Sequence, residues 1–339
     1  MSIAINSTPH HPLSSEHSHA PETLAFEVPH AAPMPAPLSK NGVPGRLASV
    51  QLLEHAHQAL QHQLATELNA AEEVTQRIRL SFVQQEVHVF ASTVECCTAT
   101  LAEAGRLRAD QHLQKMAEAI NKDLPAELQD TPMAANEFFD KLIDLIGIIK
   151  DQYLGAYTHI LDAYQKFFAA FTSNVTSEMW DWVAAGNEGK DIYFSGDLFH
   201  AAFNELQREF SLPNSAAILF PAPGRPAASQ QDAIKWQLAL GLPPDTVQRS
   251  PSGGYAVVMD LGPLRELKEG TPNRYVTWDP ARFQVWQSGF NAQEERMKNQ
   301  LQSLGQKYSN ANSYHDNFNR TLSAHLSQFA DMLKHMSTW

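Results

Sequence analysis

The sequence predicts a mainly α fold: a long central antiparallel coiled coil, an N-terminal helical hairpin and a small distal α/β domain. Three observations carry this. Two runs far apart in the chain hold a seam of apolar residues at alternating spacings of three and four, the signature of a coiled coil. No proline interrupts either run. The stretch between them changes to short strand-like and turn-like pieces. A chain that ascends one long helix, builds a head and returns along a second makes a rod, which suits a structural or docking role better than a pocket enzyme.

The first run reads Phe139, Leu142, Ile146, Ile149, Tyr153, Ala156, Ile160, Ala163 and Phe167. The second reads Met297, Leu301, Leu304, Tyr308, Ala311, His315, Phe318, Leu322, His325, Phe329, Met332, Met336 and Trp339. The candidate core of the coil is Leu142, Ile146, Ile149, Tyr153, Ile160 and Phe167 facing Phe290, Met297, Leu301, Leu304, Tyr308 and Phe318. Thr131-Pro132 and Asp279-Pro280 are start signals, an N-cap followed by proline at the first helical position. The first helix should run to about Ala184 and the last to about Met336. Gly147, Gly155, Gly289 and Gly305 weaken these helices by about 1 kcal/mol each.

Ahead of the coil, Leu47, Val50, Leu53, His57, Leu60, Leu64 and Leu68 mark one amphipathic helix. Asn69 and Glu72 have the spacing of a capping box. A second seam follows in Leu80, Val83, Val87, Phe90, Val94, Cys97, Leu101 and Ala104, with Gly105 as its expected stop. The two helices should form a hairpin over residues 46–104, with a shorter helix near Asp110–Asn121. In the insert, Ile192–Phe194, Ala217–Phe220 and Gly254–Met259 read as strands. Leu198–Phe210 and a helix capped by Ser229 and ended by Gly241 read as helices. The expected division is a disordered tail over 1–45, a hairpin and linker over 46–130, coil helices over 131–186 and 279–339, and the head over 187–278.

Composition narrows the function. A chain of 339 residues with 43% apolar content has ample core, and its net charge of −12 argues against nucleic acid and anionic lipid. The two cysteines, Cys96 and Cys97, are adjacent and make no disulfide framework. No apolar segment is long enough to cross a membrane, and the first residues carry no cationic start or apolar core of a cleavable signal. The tail is rich in Ser, Pro, His and Ala, and its histidines 10, 11, 17, 19 and 30 are too irregularly spaced for a metal site. His55 and His57 are two apart and cannot share a metal. His315 and His325 sit on the seam of the last helix, where protonation costs energy. No phosphate loop, dinucleotide fingerprint, metalloprotease motif or nucleophile elbow is present, so neither an enzyme nor a cofactor is expected.

Two helices tied at the head end leave the longer one overhanging. Leu322, Phe329, Met332, Leu333, Met336 and Trp339 stay apolar in that overhang, so they are the expected docking or oligomer interface, unless the hairpin or the 105–130 segment covers them.

The segment WDPARFQVWQSGFNAQEERMKNQLQSLGQKYSNANSYHDN, residues 278–317, resembles the last helix of the needle tip proteins of type III secretion systems, the invasin group of IpaD, SipD and BipD. HQAL, DQYLGAYTHILDAYQKF, LFPA, IKW and GGYAVV agree in order, so the resemblance covers residue 45 to the end. It implies a secreted structural virulence protein at the bacterial surface. Several copies, about five, cap the needle, restrain secretion and support insertion of two translocator proteins into the host membrane. The implied partners are the needle subunit, further copies of the chain and the translocators, with bile salts for some members. The hairpin is implied to be a built-in chaperone, and the first residues an export signal. The chain departs from the resemblance after Ser323 and in the loop Pro221–Pro226. The alternative is a secreted effector or adaptor acting through coiled-coil contacts.

Overall fold

The computed structural model describes residues 46–67, 73–128 and 137–338. The tail with its histidines, the Asn69–Glu72 box, the Thr131-Pro132 start and Trp339 lie outside them.

Helices α1 (Arg46–Glu67) and α2 (Glu73–Ala99) pack against each other along their seams. Leu53, Leu60, Val83, Val87, Phe90 and Cys97 are fully buried there. Each such side chain contributes about 1.5–3 kcal/mol. The Cys97 thiol donates to the Ser49 carbonyl at 3.2 Å, and burial pushes its pKa up to about 11. Helix α3 (Glu103–Lys122) follows at once. Gly105, expected as the stop of α2, lies inside α3, because the chain already turns at Thr100–Leu101. A Cβ at Gly105 would come within 3.2 Å of Leu101 Cβ, so the turn packs on the glycine.

The ascending limb has three parts: α4 (Phe138–Gly147), a π-helical stretch Ile148–Leu154, and α5 (Gly155–Phe171). The two glycines bracket the π stretch, where the ordinary helical ladder is relaxed. The limb ends earlier than the sequence suggests. Past Thr172–Thr176 and the 3₁₀ turn Glu178–Trp182, residues Val183–Gly186 form strand β1 rather than helix. Pairing decides this, since Val183 lies opposite Phe194 on β2 (Asp191–Ser195).

The head holds two antiparallel sheets. The first has the order β1-β2-β6, with β6 at Tyr275–Trp278. Helix α6 (Gly196–Glu209) leaves β2 directly. The second sheet has the order β3-β5-β4, formed by Ile218–Phe220, Tyr255–Val258 and Val247–Arg249. Helix α7 (Gln230–Leu240) begins where the Ser229 hydroxyl accepts from the Asp232 amide at 3.1 Å. It ends at Gly241 with φ 69°, a left-handed conformation that favours glycine. Helix α8 (Gly262–Glu269) and β6 complete the head and were not foreseen.

Gly196 fits because it has no side chain. A Cβ there would sit 2.0 Å from the Pro272 carbonyl oxygen and 2.8 Å from that of Arg274. Both clashing atoms are backbone, so Gly196→Ala should cost about 1–3 kcal/mol or more. Urea melts of the variant should show the loss; an unchanged midpoint would contradict this packing.

Helix α9 (Pro280–Thr338) returns the chain, and the Asp279 carboxylate caps it by accepting from the Arg282 amide at 2.9 Å. Its contacts change along its length. Phe283, Phe290, Met297, Leu304, Ala311 and Phe318 are buried one heptad apart, while Leu301 and Tyr308 between them are half-buried. This narrow stripe meets α5 and the π stretch. The Tyr164 hydroxyl donates to the Met297 carbonyl at 3.2 Å within it. Leu142, Ile146, Ile149, Ile160 and Phe167 are buried on the other limb, as is Tyr153, whose ring meets Tyr314 at 5.9 Å. From Leu322 onward burial broadens to Leu322, Leu326, Phe329, Ala330 and Leu333, because the hairpin joins the bundle.

Aromatic rings lock the head to the coil. Phe203 meets Phe171 edge-on at 6.3 Å, Phe194 meets Trp286 at 4.6 Å, and Phe199 meets Phe290 edge-on at 6.2 Å. Arg296 on α9 pairs with Glu266 on α8 at 3.0 Å.

Candidate functional site

The C-terminal third of α9 does not overhang unpaired. Leu322, Phe329 and Leu333 are fully buried, and Met332 and Met336 are half-buried against the same core. The stripe is not exposed, since α1 and α3 cover it, the arrangement the sequence left open beside an exposed overhang. Counting residues in the two coil limbs leaves an overhang, but it does not say which of several apolar stripes will meet it.

Helix α1 runs antiparallel to α9 and holds it through a polar clasp. Gln61 Nε2 donates to the Ser323 carbonyl at 3.0 Å, while its Oε1 accepts from the Ser323 hydroxyl. His57 Nε2 lies 3.0 Å from Ser327 Oγ and 3.2 Å from Gln61 Nε2. Lys334 pairs with Glu54 at 3.1 Å, an exposed contact worth little by itself. Helix α3 closes the other side, where the His112 ring stacks on Phe329 at 5.6 Å and 13°. Helix α2 lies along α4, where the Phe90 and Phe139 rings meet edge-on at 5.9 Å. The clasp was not foreseen as such. Its signal was the spacing of four in His57/Gln61 and in Ser323/Ser327, polar pairs placed on the edges of apolar seams.

A cleft of about 380 Å³ opens between the coil and the head. Ile148, Asp151, Gln152 and Ala156 form one wall, and Phe220, Pro221, Arg225, Lys235 and Trp236 form the other. The rings of Phe220 and Trp236 stack at 4.6 Å, and Tyr157 meets Trp236 at 5.1 Å. The Tyr157 hydroxyl donates to Glu127 at 2.7 Å, and burial, reinforced by that carboxylate, raises its pKa far above the usual tyrosine range. The pieces LFPA, IKW and DQYLGAYTHILDAYQKF all reach this cleft.

Among the described residues no group of His, Cys, Asp and Glu is placed to hold a metal ion. No helix among them is long and apolar enough to cross a membrane. His315 is buried on α9 near Asp316, while His55 and His62 are exposed.

Comparison with known proteins agrees with this architecture. The chain is 33% identical over 251 residues to the cell invasion protein SipD of Salmonella typhimurium, covering 69% of this chain and 73% of that protein. It is 33% identical over 234 residues to the invasin IpaD of Shigella dysenteriae, covering 65% and 68%. Similarity to the translocator protein BipD of Burkholderia pseudomallei is 26% over 241 residues, covering 70% of each. A crystal structure described as a pathogenicity island 1 effector protein from Chromobacterium violaceum superposes with a TM-score of 0.59 at 28% identity, covering 84% of this chain and 98% of that one. The family described as type III secretion systems tip complex components matches residues 45–336. Its members are structural components rather than enzymes, and the chain belongs to this family.

Proposed function

We propose that this chain is secreted through the type III apparatus and caps its needle at the bacterial surface. There it restrains secretion and supports insertion of the translocator pore into the host membrane. The observation that carries the reading is the covered stripe of α9. A rod that ends in an apolar helix masked by a separate hairpin can travel as a monomer and dock once the mask moves. Leu322, Phe329, Met332, Leu333 and Met336 then become the contact toward the needle subunit or a second copy, with Trp339 at the end. The membership of the family supports this role over that of an adaptor inside the host.

The test is a strain lacking the chain. It should still build needles but lose controlled release of translocators. Intact control would contradict capping. Removal of the first ~20 residues, an order-of-magnitude length for an export signal in a polar tail, should abolish secretion and leave the thermal midpoint unchanged. Normal secretion of the shortened chain would count against that part.

The cleft favours a second reading, that the head senses facially amphipathic anions such as bile salts. Its apolar floor of Phe220 and Trp236 beside Arg225 and Lys235 suits a flat apolar ring system bearing a carboxylate. Calorimetry with deoxycholate should show binding, and Arg225→Ala with Lys235→Ala should weaken it about tenfold. Absence of heat at millimolar ligand would reject the reading.

A further inference from the structure

Helices α1 and α3 each set one histidine against the same stretch of α9, and the surroundings of both favour the neutral ring. At His57 the orientation of the Gln61 amide is fixed from outside. The Ser323 carbonyl can only accept, so the Gln61 atom 3.0 Å from it is the amino nitrogen. That nitrogen also lies 3.2 Å from His57 Nε2, so a proton on Nε2 ends this contact and leaves Ser327 Oγ, 3.0 Å away, as its acceptor. At His112 the ring lies flat on Phe329, and its Nε2 is buried without a hydrogen-bond partner among the described residues. We infer that His57 and His112 form an acid-sensitive latch, which loosens the grip of α1 and α3 on α9 when both rings take a proton.

The groups facing each ring set the sign. His57 sees Asp331 from α9 and Glu54 from its own helix, both favouring the proton, and the ring of Phe90 from α2. Glu54 is shared with Lys334, which draws on the same carboxylate. Desolvation outweighs the two acids and holds His57 below the ordinary value. His112 sees His325 from α9 and Lys115 from its own helix, and both add to desolvation in lowering its pKa. A histidine depressed in the docked state favours docking fully above the ordinary value of 6.5. It stops doing so as pH falls below that value. Mild acid therefore favours release of the cover, and neutral pH favours its closure.

The latch deepens the reading of α1–α3 as a cover. Amide exchange in the free full-length chain tests the latch, and needle capture tests the cover's purpose, so the two can fail separately. Protection factors in α1 and α3 should fall about tenfold between about pH 7.5 and about pH 5.5. Those of the head strands should hold. The variant His57→Gln with His112→Phe keeps the polar contact and the stacked ring without a titrating group. It should lose the dependence. Equal protection of the wild type at both pH values overturns the latch, as does a double variant that still responds. If that variant does not fold, ring titration of the wild type by NMR decides: values for both histidines below the ordinary one support the latch, and values at or above it overturn it.

Discussion

Phe329→Asp together with Leu333→Asp should detach the hairpin from the coil. Both side chains are fully buried at the meeting of α9 with α1 and α3. A carboxylate placed there without a partner costs several kcal/mol, or takes up a proton instead. The stacked contact with His112 is lost as well. The head is far along the rod and holds its own aromatic core, so its melting should change little. The expected result is a lower first transition on heating, with loss of amide protection in α1 and α3 and retention in β2 and β5. A single unchanged transition would mean that α9 does not depend on its cover.

Deletion of residues 1–121 should raise self-association of the chain. It removes α1, α2 and nearly all of α3, and uncovers Leu322, Leu326, Phe329 and Leu333. At about 1.5–3 kcal/mol for each buried side chain, this is roughly 6–12 kcal/mol of lost burial. A second copy of the same stripe is the nearest available partner. Sedimentation at equal concentration should show dimers or larger species for the deleted chain. A strictly monomeric and fully helical product would show that the stripe is content in water.

Local signals were legible where they act locally. Ser229, Gly241 and Asp279 start or stop helices through their own short-range chemistry, and the structure keeps all three. The 3-4 seams of α1, α2 and α9 were legible because most of their described side chains are buried, whichever helix covers them. What the sequence hides is pairing. Val183–Gly186 has little strand character of its own and becomes β1 only because β2 lies opposite. The strand Tyr275–Trp278 reads as a linker ahead of α9 until β2 pairs with it. The stripe from Leu322 to Met336 looks unpaired for the same reason, since apolar periodicity says that a face is covered and not by what. The clasp of His57, Gln61, Ser323 and Ser327 depends on α1 meeting α9 across most of the chain's length, and no short-range signal encodes that.

Amide exchange of the full chain, free in solution and seated on purified needles, tests most directly whether the hairpin is a removable cover. If it is, docking should strip protection from α1 and α3 while Leu322–Leu333 on α9 stays protected by its new partner. Protection of α1 and α3 that remains at the free-chain level on capped needles would contradict it, and the docking surface would then lie outside the stripe.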